Sequence, residues 1–515
     1  MMEKSLLRQI WRLSFPVLLA NLLQTSVNII DTLMIGRLGP ISIAAIGMAN
    51  TVHLLLLITV LAISGGAMSL IAQAKGSRDP QRLSFVTRQA LVTSLLLSGV
   101  LLVAGVALAE PLLQLIDSSG ETEAVRQGAD YLIVIFLGSP FLVLNVVVNR
   151  LMQGAGDTVT PLILTGGISV LNIFFNYLFI FGWGPVPAMG IAGAAIGTIL
   201  ARAIAVGVAL QIFYSGTNVI KILPGSWAPD WQLVRDILSI GVPSGIQGFL
   251  RHVANLLVMG FITATELGAY GAAVLAIGTQ AEIFAIQAVV GMNVAATSLV
   301  GQELGKWQPE EAFRKGNLIT YLGVIVMIIL VVPMVLFAPQ IIRLFDPSAH
   351  PVVMEGSLTL FRTILLALPF TAVAIMGTGA LRGAGDTKPA MMSTLLCRNL
   401  LTIGLAWLLA FPFKLGAMGI WYGIIIGRVL DGVYMWIVWR ARKWQKVALR
   451  KTDLYRQHLR HLAEPVREEY LREVRTPLMA ISGTVEQIYE HEVVYIHPNG
   501  ERRVRCEAGD FRRLP

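Results

Sequence analysis

Four polar side chains occur along one apolar stretch near the start of the chain: Asn21, Gln24, Asn28 and Asp31. Their spacings of three, four and three residues place all four on one face of a helix. A carboxylate inside an apolar span is costly in lipid and usually faces a cavity or a partner. The alternative is that Asp31 caps the outer end of the helix beside Arg37, but a capping carboxylate does not require three amides below it.

Other polar residues in later apolar stretches could complete a pocket around Asp31. They are Asn145, Asn149, Asn172, Asn176 and Thr198. The two members of each asparagine pair are four residues apart and therefore share a helix face. Among neutral amides and away from water, a carboxylate binds a proton more readily than it does in water. Such a pocket suits the exchange of a proton or a small cation, whereas a single asparagine alone could equally join two helices.

The second half of the chain offers a different polar set, which we expect to line a substrate cavity together with Asn21, Gln24 and Asn28. It consists of Gln247, Arg251, Asn255, Gln280, Glu282 and Gln287. Val258 takes the place of Asp31 when Asn28 is matched to Asn255, so the carboxylate is not repeated. Glu282 either forms a structural ion pair with Arg251 or holds a ligand or ion.

The composition requires that these residues be carried by membrane-spanning elements. Of 515 residues, 55% are hydrophobic and 14% are charged, and the mean hydropathy is +0.69. A chain of this composition cannot cover its apolar surface with water-facing residues, which excludes a soluble enzyme or a disordered protein. The apolar runs are continuous rather than alternating, which favours helices over a barrel.

Twelve stretches are long enough to cross about 30 Å of hydrocarbon, and the predicted fold is an all-α polytopic membrane protein. The stretches are 11–35, 44–72, 86–109, 131–152, 160–182, 189–214, 236–262, 270–300, 317–337, 360–380, 389–412 and 416–440. Residues 1–12 are basic, but the run that follows is too long for a signal peptide and contains Asp31, so we expect a first spanning helix.

Positive charges in the connections predict the topology. Sixteen Lys and Arg residues, Arg150, Arg382 and Arg398 among them, are assigned to one side of the membrane and four to the other. By the positive-inside rule both termini are cytoplasmic, in an inner or plasma membrane. The same rule accounts for most of the net charge of +9, so no nucleic-acid partner is indicated.

An internal repeat divides the membrane body into two halves. Met152-Gln-Gly-Ala-Gly-Asp-Thr158 returns as Leu381-Arg-Gly-Ala-Gly-Asp-Thr387, and Ser69-Leu-Ile-Ala-Gln73 returns as Ser298-Leu-Val-Gly-Gln302, both at an offset of 229. The repeat predicts homologous six-helix lobes at 1–225 and 226–440. Six spans per lobe keep both lobes in the same orientation, so a pseudo-twofold axis runs along the membrane normal, as in many secondary transporters.

The repeated Gly-Ala-Gly-Asp-Thr segments lack the pattern of a dinucleotide fingerprint or a P-loop. We expect each to form a tight turn whose Asp caps the next helix. The body shows no catalytic motif and no nucleotide-binding cassette, so we predict no enzyme activity, no cofactor and no certain metal site.

A charged tail follows the body. Residues 441–515 contain 15 Lys and Arg and 11 Asp and Glu, against 25 and 20 in residues 1–440. The tail is expected to be cytoplasmic, with a helix at 463–475 and a hairpin formed by 493–496 and 502–505. The two cysteines, Cys397 and Cys506, are too few for a disulfide framework.

Several of these segments together resemble the multidrug and toxic compound extrusion (MATE) family over about residues 5–445. They are Gln24 with Asp31-Thr-Leu-Met-Ile-Gly36, the Gln-Gly-Ala-Gly-Asp-Thr loop at 153–158, Asn172-x-x-x-Asn176, and the Gly-x-x-Gly-Ala-Ala run at 190–195. The tail does not belong to this pattern.

The resemblance implies a central cavity between two lobes that opens alternately to either side. It implies export of organic, often cationic and amphipathic compounds, driven by inward H⁺ or Na⁺. It also implies a coupling-ion site at Asp31 with Asn149, Asn172, Asn176 and Thr198. Prokaryotic members often have Asp where this chain has Asn176, and one carboxylate makes a weak Na⁺ cage, so a proton is favoured and Na⁺ at Asp31 is the alternative.

Two other interpretations remain open at this point. A flippase for lipid-linked saccharides or lipids would use basic residues such as Arg202, Arg251 and Arg428. A membrane-embedded enzyme or receptor is disfavoured by the duplicated halves. In either transporter case we expect small-molecule substrates, a bilayer setting and a functional monomer.

Overall fold

The computed structural model describes residues 2–116, 122–345, 350–448, 484–489, 492–496, 502–506 and 511–513. The chain divides into two compact units, Met1–Leu449 and Arg450–Pro515. Each is described by itself.

The described part of the first unit is built from helices. Its first half contains α1 (Met2–Gly36), α2 (Pro40–Gly76), α3 (Pro80–Ile116), α4 (Thr122–Leu137), α5 (Ser139–Gly154), α6 (Val159–Phe181) and α7 (Gly190–Ser215). Its second half contains α8 (Trp231–Thr263), α9 (Gly268–Gly305), α10 (Pro309–Leu336), α11 (Ala338–Phe345), α12 (Pro351–Gly383), α13 (Lys388–Ser393), the π-helical segment η1 (Thr394–Leu401), α14 (Thr402–Ala410) and α15 (Gly416–Arg440).

The predicted class of fold is confirmed. Within the described ranges, 11 helices are long and apolar enough to cross a bilayer, and counting the bent pair α4–α5 as one span gives 12. Large apolar side chains cover the outside of the bundle, for example Val170 and Leu256, which are 69% and 70% exposed. This outward-facing apolar surface is what a bilayer solvates. The lobe boundaries 1–225 and 226–440 stay predictions.

One predicted span is broken rather than continuous. The stretch 131–152 corresponds to α4 and α5, which meet at an angle of 54° around Gly138. Pro140 begins the new helix, because proline cannot donate the backbone hydrogen bond that a continuous helix needs. A side chain at Gly138 would collide with that of Ile199 on α7, so the break also lets α7 pack closely.

A second predicted span, 389–412, changes its winding in the middle. In η1 the Asn399 side chain donates to the Thr394 carbonyl at 3.0 Å, and Thr402 Oγ1 donates to the Cys397 carbonyl at 2.9 Å. Both contacts reach back five residues and occupy carbonyl oxygens along the widened turn. The sequence analysis also did not predict the short helix α11.

The two halves of the first unit meet chiefly through α2, which packs against α8 and α9, and through α1 against α9. The backbones of α2 and α8 approach closely at two glycines, which have no side chain to separate the helices. A Cβ on Gly241 would collide with the Ala62 carbonyl, and one on Gly66 with the Ile237 carbonyl. The lobes are therefore joined through backbone-to-backbone packing of α2 and α8.

The described residues of the second unit form a four-stranded antiparallel sheet in the order β1-β2-β3-β4. The strands are β1 (Thr484–Tyr489), β2 (Glu492–Ile496), β3 (Arg502–Cys506) and β4 (Phe511–Arg513). The expected hairpin corresponds to β2 and β3, with Ile496 opposite Arg502. The helix expected at 463–475 lies outside the described residues.

Candidate functional site

A hydrogen-bonded cluster joins Asp31 on α1 to α6. Asn176 Nδ2 donates to Asp31 Oδ1 at 2.8 Å, and it lies 3.3 Å from Asn172 Oδ1. Asn172 and Asn176 are 3% and 0% exposed, one helical turn apart on the face of α6 that packs against α1 and α7. The structure therefore holds the carboxylate of the first half between two buried amides.

The amide of Asn172 lies between Asp31 on α1 and Thr198 on α7. With its nitrogen toward Asp31, Nδ2 donates to both carboxylate oxygens at 3.1 and 3.3 Å, and Oδ1 accepts from Thr198 Oγ1 at 3.0 Å. This orientation satisfies the amide beside an ionised carboxylate. Rotation of the amide by 180° would direct Oδ1 at Asp31 and Nδ2 at Thr198 Oγ1, which is the arrangement that a protonated carboxyl group requires.

Close helix packing fixes the position of Asn176. A Cβ on Gly197 of α7 would collide with Asn176 Oδ1 and lie 2.9 Å from the Asn176 backbone nitrogen. Asn176 Oδ1 itself is buried and has no hydrogen-bond partner among the described residues. A buried acceptor without a partner is costly, so the packing of α7 at Gly197 and the hydrogen bond from Nδ2 to Asp31 together hold the amide in this position.

Three residues near Asp31 were not part of the predicted site. Arg202, one turn after Thr198 on α7, lies within electrostatic range of Asp31 and Tyr131, and His53 on α2 lies within range of Arg202. The four-residue spacing from Thr198 was a usable signal for Arg202, because residues four apart share a helix face. Neither Tyr131 nor His53 shares a motif with the cluster.

Other predicted residues of the first half do not join the cluster. Asn149 Oδ1 on α5 is buried without a hydrogen-bond partner, and no hydrogen bond connects it to Asp31 among the described residues. On α1, Gln24 Nε2 donates to Asn28 Oδ1 at 3.2 Å, whereas Asn21 offers its backbone carbonyl to Thr25. On this face of α1, Gln24 and Asn28 therefore pair with each other, and the Asn21 contact involves only its backbone carbonyl.

In the second half, Glu282 pairs with Arg428 and not with Arg251. Glu282 Oε2 lies 2.7 Å from Arg428 Nη2, and the two side chains are 8% and 11% exposed. Gln247 is also buried and donates to the Ala390 carbonyl at 3.2 Å, which ties α8 to α13. Glu282 and Gln247 are therefore held in helix packing. Of the other polar residues predicted in the second half, Arg251, Asn255 and Gln280 are exposed and Gln287 is half-buried.

Three arginines that the charge pattern assigned to one side of the membrane lie in helical segments. Arg150 is in α5, Arg382 is in the last turn of α12 and Arg398 is in η1. All three are half-buried, and Arg382 lies within electrostatic range of Arg150 and Arg251. The side of the membrane on which each lies stays a prediction.

The repeated Gly-Ala-Gly-Asp-Thr turn behaves as predicted in its first copy. Asp157 Oδ1 accepts from the backbone amides of Val159 and Thr160, at 3.0 and 3.1 Å, at the start of α6. Its other oxygen accepts from Asn218 Nδ2 at 2.7 Å. The turn is a structural cap, and it carries no phosphate-binding geometry.

The same end of the bundle is closed by two matching contacts between the lobes. Gln73 Nε2 donates to the Gly383 carbonyl at 3.0 Å, and Gln302 Nε2 donates to the Gly154 carbonyl at 3.2 Å. Both the glutamines and the glycines are related by the repeat offset of 229. We call these four residues the paired glutamine clamp. Within the described residues, no group of three or more His, Cys, Asp or Glu side chains could hold a metal ion.

The sequence that forms this helical bundle matches one family of membrane proteins. The model of the MatE family matches residues 16–178 and 243–408, more than half of the chain. The chain belongs to the MATE family. The protein is therefore a multi-pass membrane transporter.

Individual MATE relatives are similar over most of their length. The chain is 28% identical over 446 residues to a probable multidrug resistance protein NorM of Thermotoga maritima, which spans 86% of this chain and 94% of that protein. It is 25% identical over 448 residues to the multidrug resistance protein MdtK of Yersinia pseudotuberculosis, which spans 85% of this chain and 96% of that protein. A third relative is an uncharacterized transporter, YisQ, of Bacillus subtilis, at 25% identity over 84% of this chain and 94% of its own length.

A solved MATE structure shares the fold. It shows an outward-facing conformation of a multidrug resistance MATE family transporter of the MOP superfamily, and it superposes with a TM-score of 0.78 at 25% identity. The match covers 85% of this chain and 96% of that one.

Proposed function

We propose that this MATE protein is a secondary antiporter that exports organic compounds in exchange for inward protons, and that Asp31 carries the proton. The observation that carries the proposal is the hydrogen-bonded cluster of Asp31 and Thr198, both half-buried, with the buried amides of Asn172 and Asn176. The names of the NorM and MdtK relatives support the export of drug-like compounds.

The two orientations of Asn172 support proton exchange at Asp31. When Asp31 is ionised, Asn172 and Asn176 both direct N–H groups at the carboxylate. When Asp31 is protonated, its O–H can donate to Asn172 Oδ1, and Asn172 Nδ2 then donates to Thr198. The Thr198 hydroxyl either donates or accepts, so neither state leaves Asn172 unpaired. Arg202 favours the ionised state by its charge.

The donor set supports a proton more than Na⁺. Hard cations are held by several oxygen ligands, preferably carboxylates, whereas the ionised Asp31 here receives amide N–H groups. Coupling to Na⁺ is the alternative, and an imposed Na⁺ gradient tests it in the efflux experiment.

Coupling follows from mutual exclusion. Substrate binds while Asp31 is ionised, and protonation from outside releases it. One proton moving inward yields roughly 2.3 kcal/mol per 100 mV, which sustains an approximately 50-fold gradient of a neutral solute.

The test is efflux of a fluorescent organic dye from liposomes that contain the full chain, under an imposed pH gradient or an imposed Na⁺ gradient. We expect efflux to follow the pH gradient in the wild type and to be lost in Asp31→Asn. The matched control is Asp130→Asn, an exposed carboxylate on α4, which should transport normally. Wild-type efflux by Asp31→Asn, or efflux driven only by Na⁺, contradicts the proposal.

We also propose the arrangement of the chain in the membrane: a six-helix lobe at 1–225, a second at 226–440, a charged tail at 441–515, and cytoplasmic termini in a monomeric transporter of the cell membrane. The excess of positive charge in the connections supports this orientation. Reporter fusions at both termini that respond only to the cytoplasmic side are the expected result.

A further inference from the structure

Three arginines are carried by helical segments that pack against one another in the second half of the chain: α8, η1 and α15. Gln247 on α8 donates to the Ala390 carbonyl, and Arg251 follows four residues later on the same helix. There it is within electrostatic range of Arg398, and Arg398 is within range of Arg428 on α15. We call these three residues the arginine pocket.

The carboxylates nearby do not neutralise the arginine pocket. Glu282 is committed to Arg428 Nη2, while Arg428 Nη1 is buried without a hydrogen-bond partner. Asp431 accepts a hydrogen bond from Ser393 and is within electrostatic range of Arg251 and Arg398. No ion pair within 4.0 Å forms at Arg251 or Arg398 in the part of the chain that the structure describes.

The balance of charge is therefore positive: three guanidinium groups stand against two carboxylates. Arg382, within electrostatic range of Arg251, adds a further positive charge. Unpaired charges among membrane-spanning helices are expensive and mark substrate or ion pathways. A bound anion would supply the missing partner.

Two features of the backbone and surface suit the arginine pocket to binding. Arg398 is carried by the π-helical segment, and π-bulges occur frequently at functional sites because they redirect side chains. Arg251 is exposed, so a ligand can reach the pocket, whereas Arg398 and Arg428 are half-buried. The planar guanidinium fork matches the oxygen geometry of carboxylate, sulfonate and phosphate groups.

We propose that the arginine pocket binds the acidic group of an organic anion, and that organic anions are among the compounds this transporter exports. The second half of this statement rests on the proposed export function. It departs from the cationic substrates that the family resemblance led us to expect. An anionic lipid headgroup presents the same chemistry, and the test separates the two sources.

The test measures binding of two related dyes, anionic fluorescein and cationic rhodamine 123, by fluorescence anisotropy. The full chain is held in phosphatidylcholine nanodiscs without any gradient. We expect Arg251→Gln and Arg398→Gln each to weaken fluorescein binding by roughly tenfold or more, because each removes a charge-assisted hydrogen bond. Arg251→Lys should retain part of the affinity, since it keeps the charge and loses only the fork.

The matched control is Arg440→Gln, which removes a guanidinium from the same helix as Arg428 but from a site stacked on Trp436; fluorescein affinity should not change. Elution profile and thermal stability monitor folding. Should Arg398→Gln fail to fold, Arg251→Gln still tests the site, because its side chain is exposed. The proposal is overturned if the wild type and Arg251→Gln bind fluorescein with equal affinity. It is also overturned if Arg251→Gln loses as much affinity for rhodamine 123 as it loses for fluorescein.

Nanodiscs containing phosphatidylglycerol distinguish the source of the anion. If phosphatidylglycerol lowers the fluorescein affinity of the wild type but not that of Arg251→Gln, a lipid headgroup occupies the arginine pocket. Unchanged affinity supports a soluble organic acid. The binding assay uses no gradient, so the two proposals can fail separately. Absence of pH-driven efflux in the wild type would overturn the proposed function alone, whereas absent anion binding in a wild type that shows Asp31-dependent efflux would overturn only this inference.

Discussion

The geometry around Asp31 depends on a residue that has no side chain. Gly197 lets α7 approach α6 so closely that the backbone carbonyl carbon of Phe175 would lie 3.0 Å from an added Cβ. Any such atom would also collide with Asn176 Oδ1, the amide that donates to Asp31. Gly197 therefore acts on the carboxylate through Asn176.

We expect Gly197→Ala to reduce pH-driven efflux by roughly tenfold or more. The added methyl group must displace Asn176 or separate α6 from α7, and overpacking of this kind costs about 1–3 kcal/mol. Gly207→Ala on the same helix is the matched control, because nothing lies within 4 Å of its Cβ position. Efflux rates in liposomes and thermal unfolding in detergent are the measurements, and wild-type efflux by Gly197→Ala would show that the position of Asn176 is unimportant.

Helical periodicity was sufficient to predict that Asn172, Asn176 and Asp31 carry polar faces, and the structure brings them together with Thr198. Periodicity could not predict that Asn149 makes no hydrogen bond to this cluster. The spacing of polar residues identifies the polar face of a helix, but it does not identify the neighbouring helix that this face contacts. Their functional roles stay predictions.

At the scale of helices, one buried ion pair joins α9 to α15 in the second lobe. Glu282 and Arg428 have side chains that are 8% and 11% exposed, at a separation of 2.7 Å. The sequence analysis considered Arg251 as the partner of Glu282, but which basic residue meets Glu282 depends on how the helices pack, and no local sequence pattern records that packing. The same limit explains why the bend at Gly138 and the π-helical winding of η1 were not predicted.

We expect Glu282→Gln to lower the free energy of unfolding by about 3–5 kcal/mol, since it leaves the Arg428 charge buried and uncompensated. The double change Glu282→Leu with Arg428→Met should recover most of the loss, because both charges are then removed. Glu311→Gln is the control: its pair with Arg314 is 3.7 Å apart and about half exposed, so a change of about 0–1 kcal/mol is expected. Denaturant unfolding in detergent measures all three, and a cost for Glu282→Gln no larger than the control's would contradict the assigned role of the pair.

At the scale of the whole helical unit, two hydrogen bonds between the halves of the chain join residues that the sequence repeat relates. In the paired glutamine clamp each lobe donates one amide to a carbonyl of the other. Beside it, a side chain at Gly76 would collide with the Gln302 carbonyl, and one at Gly305 with the Gln73 carbonyl. One clamp contact joins α2 to α12 and the other joins α9 to α5, while the glycine contacts join α2 to α9. We therefore expect both hydrogen bonds to break together when α2 and α9 separate at this end.

This symmetry makes a quantitative prediction for access to the closed end. Ser69 is buried on α2, one turn before Gln73, and serves as a reporter when changed to Cys in a chain that carries Cys397→Ser and Cys506→Ser. Removing two hydrogen bonds of about 0.5–1.5 kcal/mol each should favour the open form. We therefore expect Gln73→Ala with Gln302→Ala to raise labelling of the reporter by a membrane-impermeant maleimide roughly tenfold.

The repeat makes the two contacts equivalent, so Gln73→Ala alone and Gln302→Ala alone should raise labelling by the same factor. If their free energies add, that factor is about the square root of the increase in the double variant. Gln114→Ala, an exposed glutamine of α3 that bonds Glu110, should leave labelling unchanged. If one single variant produced the whole increase, the clamp would be asymmetric and the other contact a bystander. If the double variant labelled no faster than the control, the clamp would not restrain this end, and the glycine packing at Gly76 and Gly305 would have to hold it alone.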